Sequence, residues 1–151
     1  DLLIECAQKF PQLTFTMIGD GDMENELTAP NIQVTGWKSR EETLEMLNKA
    51  DVFLLLSLWE GLPISLLEAM YLKKVCVVSN VIGNRDVIVN RQNGYIAEDE
   101  EECGEVLKEI ASSLDEQQVI VDRAHQDVIK RYNISVMGEM YAKEYRELCS
   151  K

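Results

Sequence analysis

The sequence predicts an α/β fold in which helices cover both faces of a doubly wound parallel sheet. Segments typical of strands alternate with segments typical of helices, an order that favours a parallel sheet. The apolar segments at residues 52–56 and 75–78 are continuous rather than alternating, as expected of strands buried on both faces. The length of 151 residues suits a single domain with a substantial core.

The first third of the chain predicts two helices and two strands. Residues 1–10 have the pattern of the end of an amphipathic helix, and strands are predicted at residues 13–18 and 32–34. Ser39, followed three residues later by Glu42, is the signature of a helix N-terminus and predicts a helix to about residue 50. The acid-rich segment at residues 22–26 predicts another helix start, because acidic side chains favour the first turn of a helix.

The rest of the chain predicts a helix between two buried strands, then a short strand and a helical end. The strands are expected at residues 51–57, 75–78 and 95–97. The helix at residues 63–72 is expected to place Pro63 at its first position, where a missing N–H costs nothing. After about residue 101 the pattern is helical, with helices at residues 115–131 and 134–149.

Composition narrows the classes of partner and compartment. The net charge of −12 argues against nucleic acid or an anionic membrane as the main partner, since both repel an acidic surface. The four cysteines lie far apart without a C-x-x-C pair, so neither a zinc site nor a disulfide framework is predicted. A reducing cytoplasm is the expected compartment, and no apolar segment approaches the length of a membrane span.

Four loops follow the predicted strands and are the places to look for a ligand site. Right-handed crossovers bring the carboxyl ends of parallel strands to one edge, where ligands bind in such sheets. The loops are residues 19–22, 35–39, 57–63 and 79–86. The third leads into the helix at 63–72, and free N–H groups there, at Gly61, Leu62, Ile64 and Ser65, predict an anion site suited to a diphosphate.

Two carboxylates, Glu60 and Glu68, flank this helix start and have two interpretations. Carboxylates accept pairs of hydrogen bonds, so the two residues suit the vicinal hydroxyls of a sugar and of a ribose, with phosphates between them. Alternatively, Glu60 is a solvated loop charge and Glu68 a glutamate favoured by the helix dipole. The pair, with the glycine and proline between them on the ligand edge, favours the functional interpretation.

Residues 60–70, Glu-Gly-Leu-Pro-Ile-Ser-Leu-Leu-Glu-Ala-Met, resemble the E-x7-E signature of the GT-B retaining glycosyltransferases (glycosyltransferase family four, glycosyl transferases group 1). Residues 18–21 and 34–37 resemble two strand ends of that family, and residues 77–83 and 93–95 resemble its later glycine turns. The resemblance covers residues 2–147 in one consistent order. It implies a Rossmann-like sheet and the C-terminal half of a GT-B fold. Residues 1–151 would form one nucleotide-sugar-binding domain, with the N-terminal acceptor-binding domain outside this chain.

The resemblance also assigns roles to residues of this sequence. Glu60 would be the catalytic residue, contacting hydroxyls of the donor sugar, and Glu68 would bind the ribose. The donor sugar and diphosphate would contact Gly61, Leu62, Pro63 and Ile64. The nucleotide would lie near Gly19, Gly36, Trp37 and Lys38.

The activity implied by the resemblance is transfer of a hexosyl unit from a UDP-, GDP- or ADP-sugar to a glycan or lipid-linked acceptor, with retention of configuration. No metal and no cofactor are expected. The chain alone is expected to be inactive, because the acceptor site and two phosphate-binding cations of the family precede the first helix. The whole enzyme is expected in the cytoplasm, with peripheral association at the inner face of the membrane.

The sequence departs from the family pattern at several positions. Lys73 and Val75 stand where the family has glycine and proline, a change interpreted as structural, and Asp86 replaces a glutamate. Three local cations, Lys38, Arg40 and Arg85, are expected to be solvated rather than functional. Trp59 is expected to anchor its loop rather than to stack on a ligand.

Three other classes of protein are compatible with the same predicted fold. A nucleotide-sugar 2-epimerase has a similar two-domain architecture but needs acid and base side chains near the sugar. A non-catalytic nucleotide-binding or interaction module would give Glu60 no role in a cleft. A phosphoacceptor receiver domain shares the sheet, but this chain lacks its acidic pair after the first strand and its later lysine.

Overall fold

The computed structural model describes residues 2–21 and 27–150. Five strands alternate with helices: β1 (Phe15–Met17), β2 (Ile32–Val34), β3 (Val52–Leu55), β4 (Val75–Ser79) and β5 (Tyr95–Ala97). The helices are α1 (Leu2–Lys9), α2 (Arg40–Lys49), α3 (Ile64–Tyr71), α4 (Ile82–Arg85), α5 (Glu100–Ser112), α6 (Gln118–Arg131) and α7 (Ile134–Cys149). A 3-10 helix, Leu114–Gln117, precedes α6. The predicted helix start at residues 22–26 lies outside the described residues.

All strand pairs are parallel, as the sequence predicts, but the strands form two sheets. One sheet pairs β1 with β2, and the other has the order β3-β4-β5. The sequence predicts a single sheet, and the described strands group into two parallel ladders. Among the described residues, the ladder hydrogen bonds stay within each sheet. The α/β class with helices on both faces is confirmed.

Strand β4 shows why its apolar run is continuous. Val75 and Val77 face a core built with α1 and α5, whereas Cys76 and Val78 face a second core built with α2, α3 and α6. Successive side chains of a strand point to opposite faces, so both faces need apolar residues. The first core also contains Phe15 of β1, so both sheets pack against the same helices.

The predicted capping box of α2 is confirmed. The Ser39 side chain accepts a hydrogen bond from the Glu42 N–H, and the Glu42 carboxylate accepts one from the Ser39 N–H at 2.9 Å. This hydrogen bond from the backbone of Ser39 lowers the pKa of Glu42 below its ordinary value. The box fixes where α2 begins, directly after the loop that follows β2.

The structural interpretation of Lys73 agrees with its backbone. Lys73 has φ of 57°, and the N–H groups of Lys73 and Lys74 bond back to Met70 and Ala69 at the end of α3. Glycine adopts this left-handed conformation without cost, so a glycine suits this position, as in the family pattern. The change to lysine therefore affects the end of a helix rather than the ligand edge.

Candidate nucleotide-sugar site at the carboxyl edge of the sheets

Two of the predicted loops touch each other at the carboxyl ends of β1 and β2. Gly19 and Gly36 form an isolated antiparallel bridge, in which the Gly19 N–H donates to the Gly36 carbonyl at 3.1 Å. Their φ angles are +137° and +68°, and a Cβ at either position would meet nothing within 4 Å. Glycine is needed at these two residues for backbone conformation rather than for space.

No side chain caps the start of α3, as is also the case for α6. Pro63 is the N-cap residue, with φ of −73° and no side-chain hydrogen bond, rather than the first helical residue that the sequence predicts. Among the described residues, the N–H groups of Gly61, Leu62, Ile64 and Ser65 have no acceptor. By contrast, side chains cap α2, α5 and α7, at Ser39, Asp99 and Asn133. Uncapped N–H groups and the helix dipole together favour an anion at this point.

Glu60 is held at this helix start by a short series of hydrogen bonds. The Ser57 hydroxyl donates to Glu60 Oε1 at 2.7 Å, and the Ser79 hydroxyl donates to the Ser57 carbonyl at 2.6 Å. Behind them, the buried Asn84 side chain donates to the Ser79 carbonyl at 3.0 Å. The ends of β3 and β4 and the start of α4 therefore orient one carboxylate toward the ligand edge.

Gly83 in α4 allows the Glu60 loop to lie against that helix. A Cβ at Gly83 would be 2.0 Å from the Gly61 carbonyl oxygen and 2.6 Å from the Glu60 carbonyl oxygen. No real Cβ approaches backbone so closely, so only glycine fits here. Gly83, which ends the segment that resembles a glycine turn of the family, thus lies against the loop that carries Glu60.

Glu68 lies on the next turn of α3 and is paired with a cation from α2. Arg40 Nη2 and Nε lie 2.7 Å and 3.2 Å from Glu68 Oε1. The Glu68 side chain is 22% exposed and that of Arg40 is 79% exposed. Arg40 is solvent-exposed, as expected, but it also pairs with Glu68, because α2 and α3 pack together and bring the two residues into contact.

The remaining predicted residues lie on the surface of the same edge. Trp37 is 73% exposed, Leu62 and Ile64 are also exposed, and Lys38 is half-buried. Trp59 is 82% exposed, so the prediction that it anchors its loop is wrong.

A cavity of about 260 Å³ lies beside Glu60 and extends the edge toward α4. Its lining includes Trp59, Asn80, Ile82 and Arg85, and the Arg85 guanidinium donates to Asn80 Oδ1 at 3.1 Å. Another cavity of about 250 Å³ lies near the amino ends of β3 and β4, around Asp51 and Lys74. That second cavity is at the opposite ends of the strands and contains none of the predicted site residues.

The structure joins the predicted residues into one continuous edge. Gly19 contacts Gly36, the helix after Gly36 contacts Glu68, and α3 connects Glu68 to Pro63 and Glu60. Sequence reasoning missed Ser57 and Ser79 as supports of Glu60. Their positions could have indicated this role, because Ser57 ends the predicted strand at residues 51–57 and Ser79 ends β4. It missed Arg40 because no local pattern reveals a partner 28 residues away.

Within residues 2–21 and 27–150, no cluster of three or more His, Cys, Asp or Glu side chains is arranged to hold a metal ion. The independence of the reaction from metal stays a prediction. In the same part of the chain, no helix is long and apolar enough to cross a bilayer.

The fold and the edge together define a class of protein: a Rossmann-like α/β domain whose ligand edge carries an uncapped helix start between two glutamates. The sequence model of the glycosyl transferases group 1 family matches residues 1–131. The chain therefore belongs to this family, and the resemblance found in the sequence is confirmed.

Individual relatives agree with this membership. The chain is 36% identical over 97 residues to the UDP-Gal:alpha-D-GlcNAc-diphosphoundecaprenol alpha-1,3-galactosyltransferase of Escherichia coli, a match covering 58% of this chain and 24% of that protein. The chain spans about a quarter of the length of the curated relatives it matches.

Solved structures share the fold at low sequence identity. A structure of HepE from Anabaena in complex with UDP and glucose superposes with a TM-score of 0.85 at 18% identity, covering 97% of this chain and 44% of that one. The C-terminal domain of a glycosyl transferase group 1 family protein, LpcC from Francisella tularensis, gives a TM-score of 0.76 at 23% identity, covering 88% of this chain and 78% of that one. The prediction of a C-terminal, GT-B type domain agrees with these neighbours. Retention of configuration stays a prediction.

Proposed function

We propose that this chain is the donor-binding domain of a retaining, metal-independent glycosyltransferase. The whole enzyme would transfer a hexosyl unit from a nucleotide-sugar to a glycan or lipid-linked acceptor. The observation that supports this function best is the uncapped start of α3, with Glu60 before it and Glu68 in its second turn. An anion is favoured at the helix start, and hydroxyl groups are favoured on either side of it.

The chemistry follows from where charge develops during transfer. As the bond between sugar and diphosphate breaks, negative charge grows on the departing diphosphate. The N–H groups of Gly61, Leu62, Ile64 and Ser65 and the dipole of α3 stabilise that charge without rearrangement. In this role α3 lowers the energy of the transition state more than that of the bound donor.

The two carboxylates and the glycine loops would position the rest of the donor. Glu60, already oriented by Ser57, accepts hydrogen bonds from hydroxyls of the donor sugar. Glu68 accepts hydrogen bonds from the ribose. The bridge between Gly19 and Gly36 brings two loops close enough to bind one base, with Trp37 and Lys38 beside it.

Relatives suggest which donor and acceptor to test first. The relative from Escherichia coli is named for a UDP-sugar donor and a diphosphoundecaprenol-linked acceptor, and HepE was solved with UDP. We propose a UDP-sugar as donor and a lipid-linked glycan as acceptor for the whole protein. Such an acceptor would place the enzyme peripherally at the cytoplasmic face of a membrane.

Nucleotide binding by the 151-residue chain tests the proposal directly. UDP, GDP and ADP are titrated to millimolar concentration while backbone amide shifts are followed by NMR. We expect one diphosphate to shift the amides of residues 19–21, 36–40 and 60–68, and Glu68→Ala to weaken binding of that nucleotide. A matched control is Glu109→Ala, which removes a glutamate that also pairs with an arginine, far from the edge. Failure of all three diphosphates to shift these amides, both in this chain and in the whole protein, contradicts the proposal.

Sugar recognition by Glu60 needs a second comparison. Glu60→Ala is expected to weaken binding of the UDP-sugar but to leave binding of UDP unchanged, because the diphosphate and ribose contacts remain. Equal losses for UDP and for the UDP-sugar would contradict a role in binding the sugar. Retention and metal independence are tested on the active whole protein, from the anomeric configuration of the product and from its rate in excess EDTA.

A further inference from the structure

We propose that Arg40 is a positioning residue of the nucleotide site. It would hold the Glu68 carboxylate so that one oxygen faces the ribose hydroxyls, and it would offset the charge of Glu68 beside the diphosphate. This inference rests on the proposed function, since it gives a reason for an ion pair found within the donor edge.

The geometry of the pair leaves half of the carboxylate available. Both guanidinium nitrogens that contact Glu68, Nη2 at 2.7 Å and Nε at 3.2 Å, donate to the same oxygen, Oε1. Among the described residues, Oε2 accepts no hydrogen bond. An oxygen with two donors already has both lone pairs engaged, whereas Oε2 can accept from two vicinal hydroxyls.

The position of Arg40 is fixed before any ligand binds. Ser39 and Glu42 determine the start of α2, and Arg40 is the first residue of that helix. Two hydrogen bonds from one planar guanidinium restrict the orientation of the Glu68 carboxylate more than a single bond to a lysine would. The position of Glu68 Oε1 is therefore set by α2, although Glu68 itself belongs to α3.

Helix stability does not account for an arginine at this position. The amino end of a helix favours acids and disfavours cations, and α2 indeed places Glu41 and Glu42 in the same first turn. An ion pair as exposed as this one also contributes little to the stability of the fold. An advantage that appears only when a ligand is bound explains the residue better.

The electrostatics of the site supply that advantage. Glu60 and Glu68 both lie near the anion-binding start of α3, and two uncompensated carboxylates would repel a diphosphate. Arg40 neutralises one of them while Lys38 lies on the loop between Gly36 and α2. The site can then use the hydrogen-bonding capacity of Glu68 without its full negative charge.

The test compares two ligands that differ only in the ribose hydroxyls: UDP and 2′,3′-dideoxy-UDP. Dissociation constants are measured by calorimetry for the wild type, Arg40→Met, Arg40→Lys and Glu68→Ala. The control is Arg91→Met, which removes a similarly exposed arginine that pairs with Glu109 away from the edge. Thermal melting of each variant verifies that it is folded.

We expect the wild type to prefer UDP over the dideoxy ligand by roughly tenfold or more, as hydrogen bonds to a charged acceptor do. Arg40→Met should reduce this preference toward one, as Glu68→Ala does, and should also weaken both ligands. Arg40→Lys keeps the charge, so it should bind the dideoxy ligand like the wild type but recover only part of the preference. If Arg40→Met fails to fold, Arg40→Lys still reports on the orientation of Glu68.

Two results overturn the inference while leaving the proposed function intact. In one, Glu68→Ala abolishes the preference for UDP but Arg40→Met and Arg40→Lys both retain it. In the other, Arg91→Met reduces the preference as much as Arg40→Met does. If the wild type binds no nucleoside diphosphate at all, the proposed function fails first and this inference fails with it.

Discussion

Replacing Gly83 with alanine is expected to disturb the Glu60 loop and to destabilise the fold. The added Cβ would lie 2.0 Å from the Gly61 carbonyl oxygen, whereas real Cβ atoms are essentially never closer than 3.0 Å to such an atom. The loop or α4 must therefore move by about 1 Å. The three nearest atoms all belong to backbone, so the clash cannot be relieved by rotation of a side chain.

The expected cost follows from overpacking of a closely packed site. Such changes cost about 1–3 kcal/mol, and for a chain of this length each kcal/mol lowers the melting temperature by about 2–4 °C. Gly83→Ala should thus melt roughly 2–12 °C below the wild type. A shift of Glu60 by 1 Å should also weaken binding of a nucleotide-sugar more than binding of the free nucleotide.

The matched control is Gly138→Ala in the exposed helix α7, where a new Cβ meets nothing within 4 Å. Alanine is favoured over glycine inside a helix by about 0.5–1 kcal/mol, so this variant should melt at or above the wild-type temperature. Calorimetry and circular dichroism measure the melting temperatures of both variants. A Gly83→Ala variant that melts and binds like the wild type would refute the reasoning from close contact.

Three further predictions concern the core, a cap and the thiols. Leu66→Ala empties a fully buried position and should reduce the free energy of unfolding by about 2–5 kcal/mol, measured by urea denaturation; a loss below 1 kcal/mol would mean that the site is not close-packed. The hydrogen bond from the Ser39 N–H lowers the pKa of Glu42. The ionised Glu42 carboxylate therefore stabilises the fold fully above its ordinary pKa of 4.5, and this stabilisation is lost as the pH falls through the lower pKa of the folded state. Glu42→Ala should therefore melt below the wild type at pH 7, and the two melting curves should converge on acidification; a constant difference would contradict the capping role. Cys149 is exposed, whereas the other three thiols are buried, and burial raises the pKa of the Cys76 thiol. Iodoacetamide should therefore modify one thiol rapidly in the native protein and four after unfolding, as counted by mass spectrometry. Rapid modification of a second thiol in the native protein would contradict the described packing.

Local patterns predicted most of the elements because each depends on neighbouring residues. The capping box at Ser39 and the continuous apolar run of β4 both appear where the sequence predicts them. The strands at residues 13–18 and 51–57 are shorter in the structure, at Phe15–Met17 and Val52–Leu55, because strand ends depend on pairing partners. Pro63 precedes α3 by one position, a difference that depends on backbone angles rather than on composition.

The site was predictable in its outline but not in its supports. The spacing of Glu60 and Glu68 around a glycine and a proline is visible in the sequence. Their partners, Ser57 and Arg40, are not visible as partners, because Arg40 reaches Glu68 only after α2 and α3 pack together. The exposure of Trp59 was also unpredictable, since an aromatic residue in a loop has no periodicity that would show which way it points.

The division of five strands between two sheets has a consequence for how this chain behaves in solution. Among the described residues it leaves four edge strands, β1, β2, β3 and β5, instead of the two that one sheet would leave. Unpaired N–H and C=O groups along such edges are templates for intermolecular pairing. The net charge of −12 keeps molecules apart near neutral pH. As carboxylates become protonated in mild acid that repulsion decreases, so association between molecules should increase with chain concentration, as measured by light scattering.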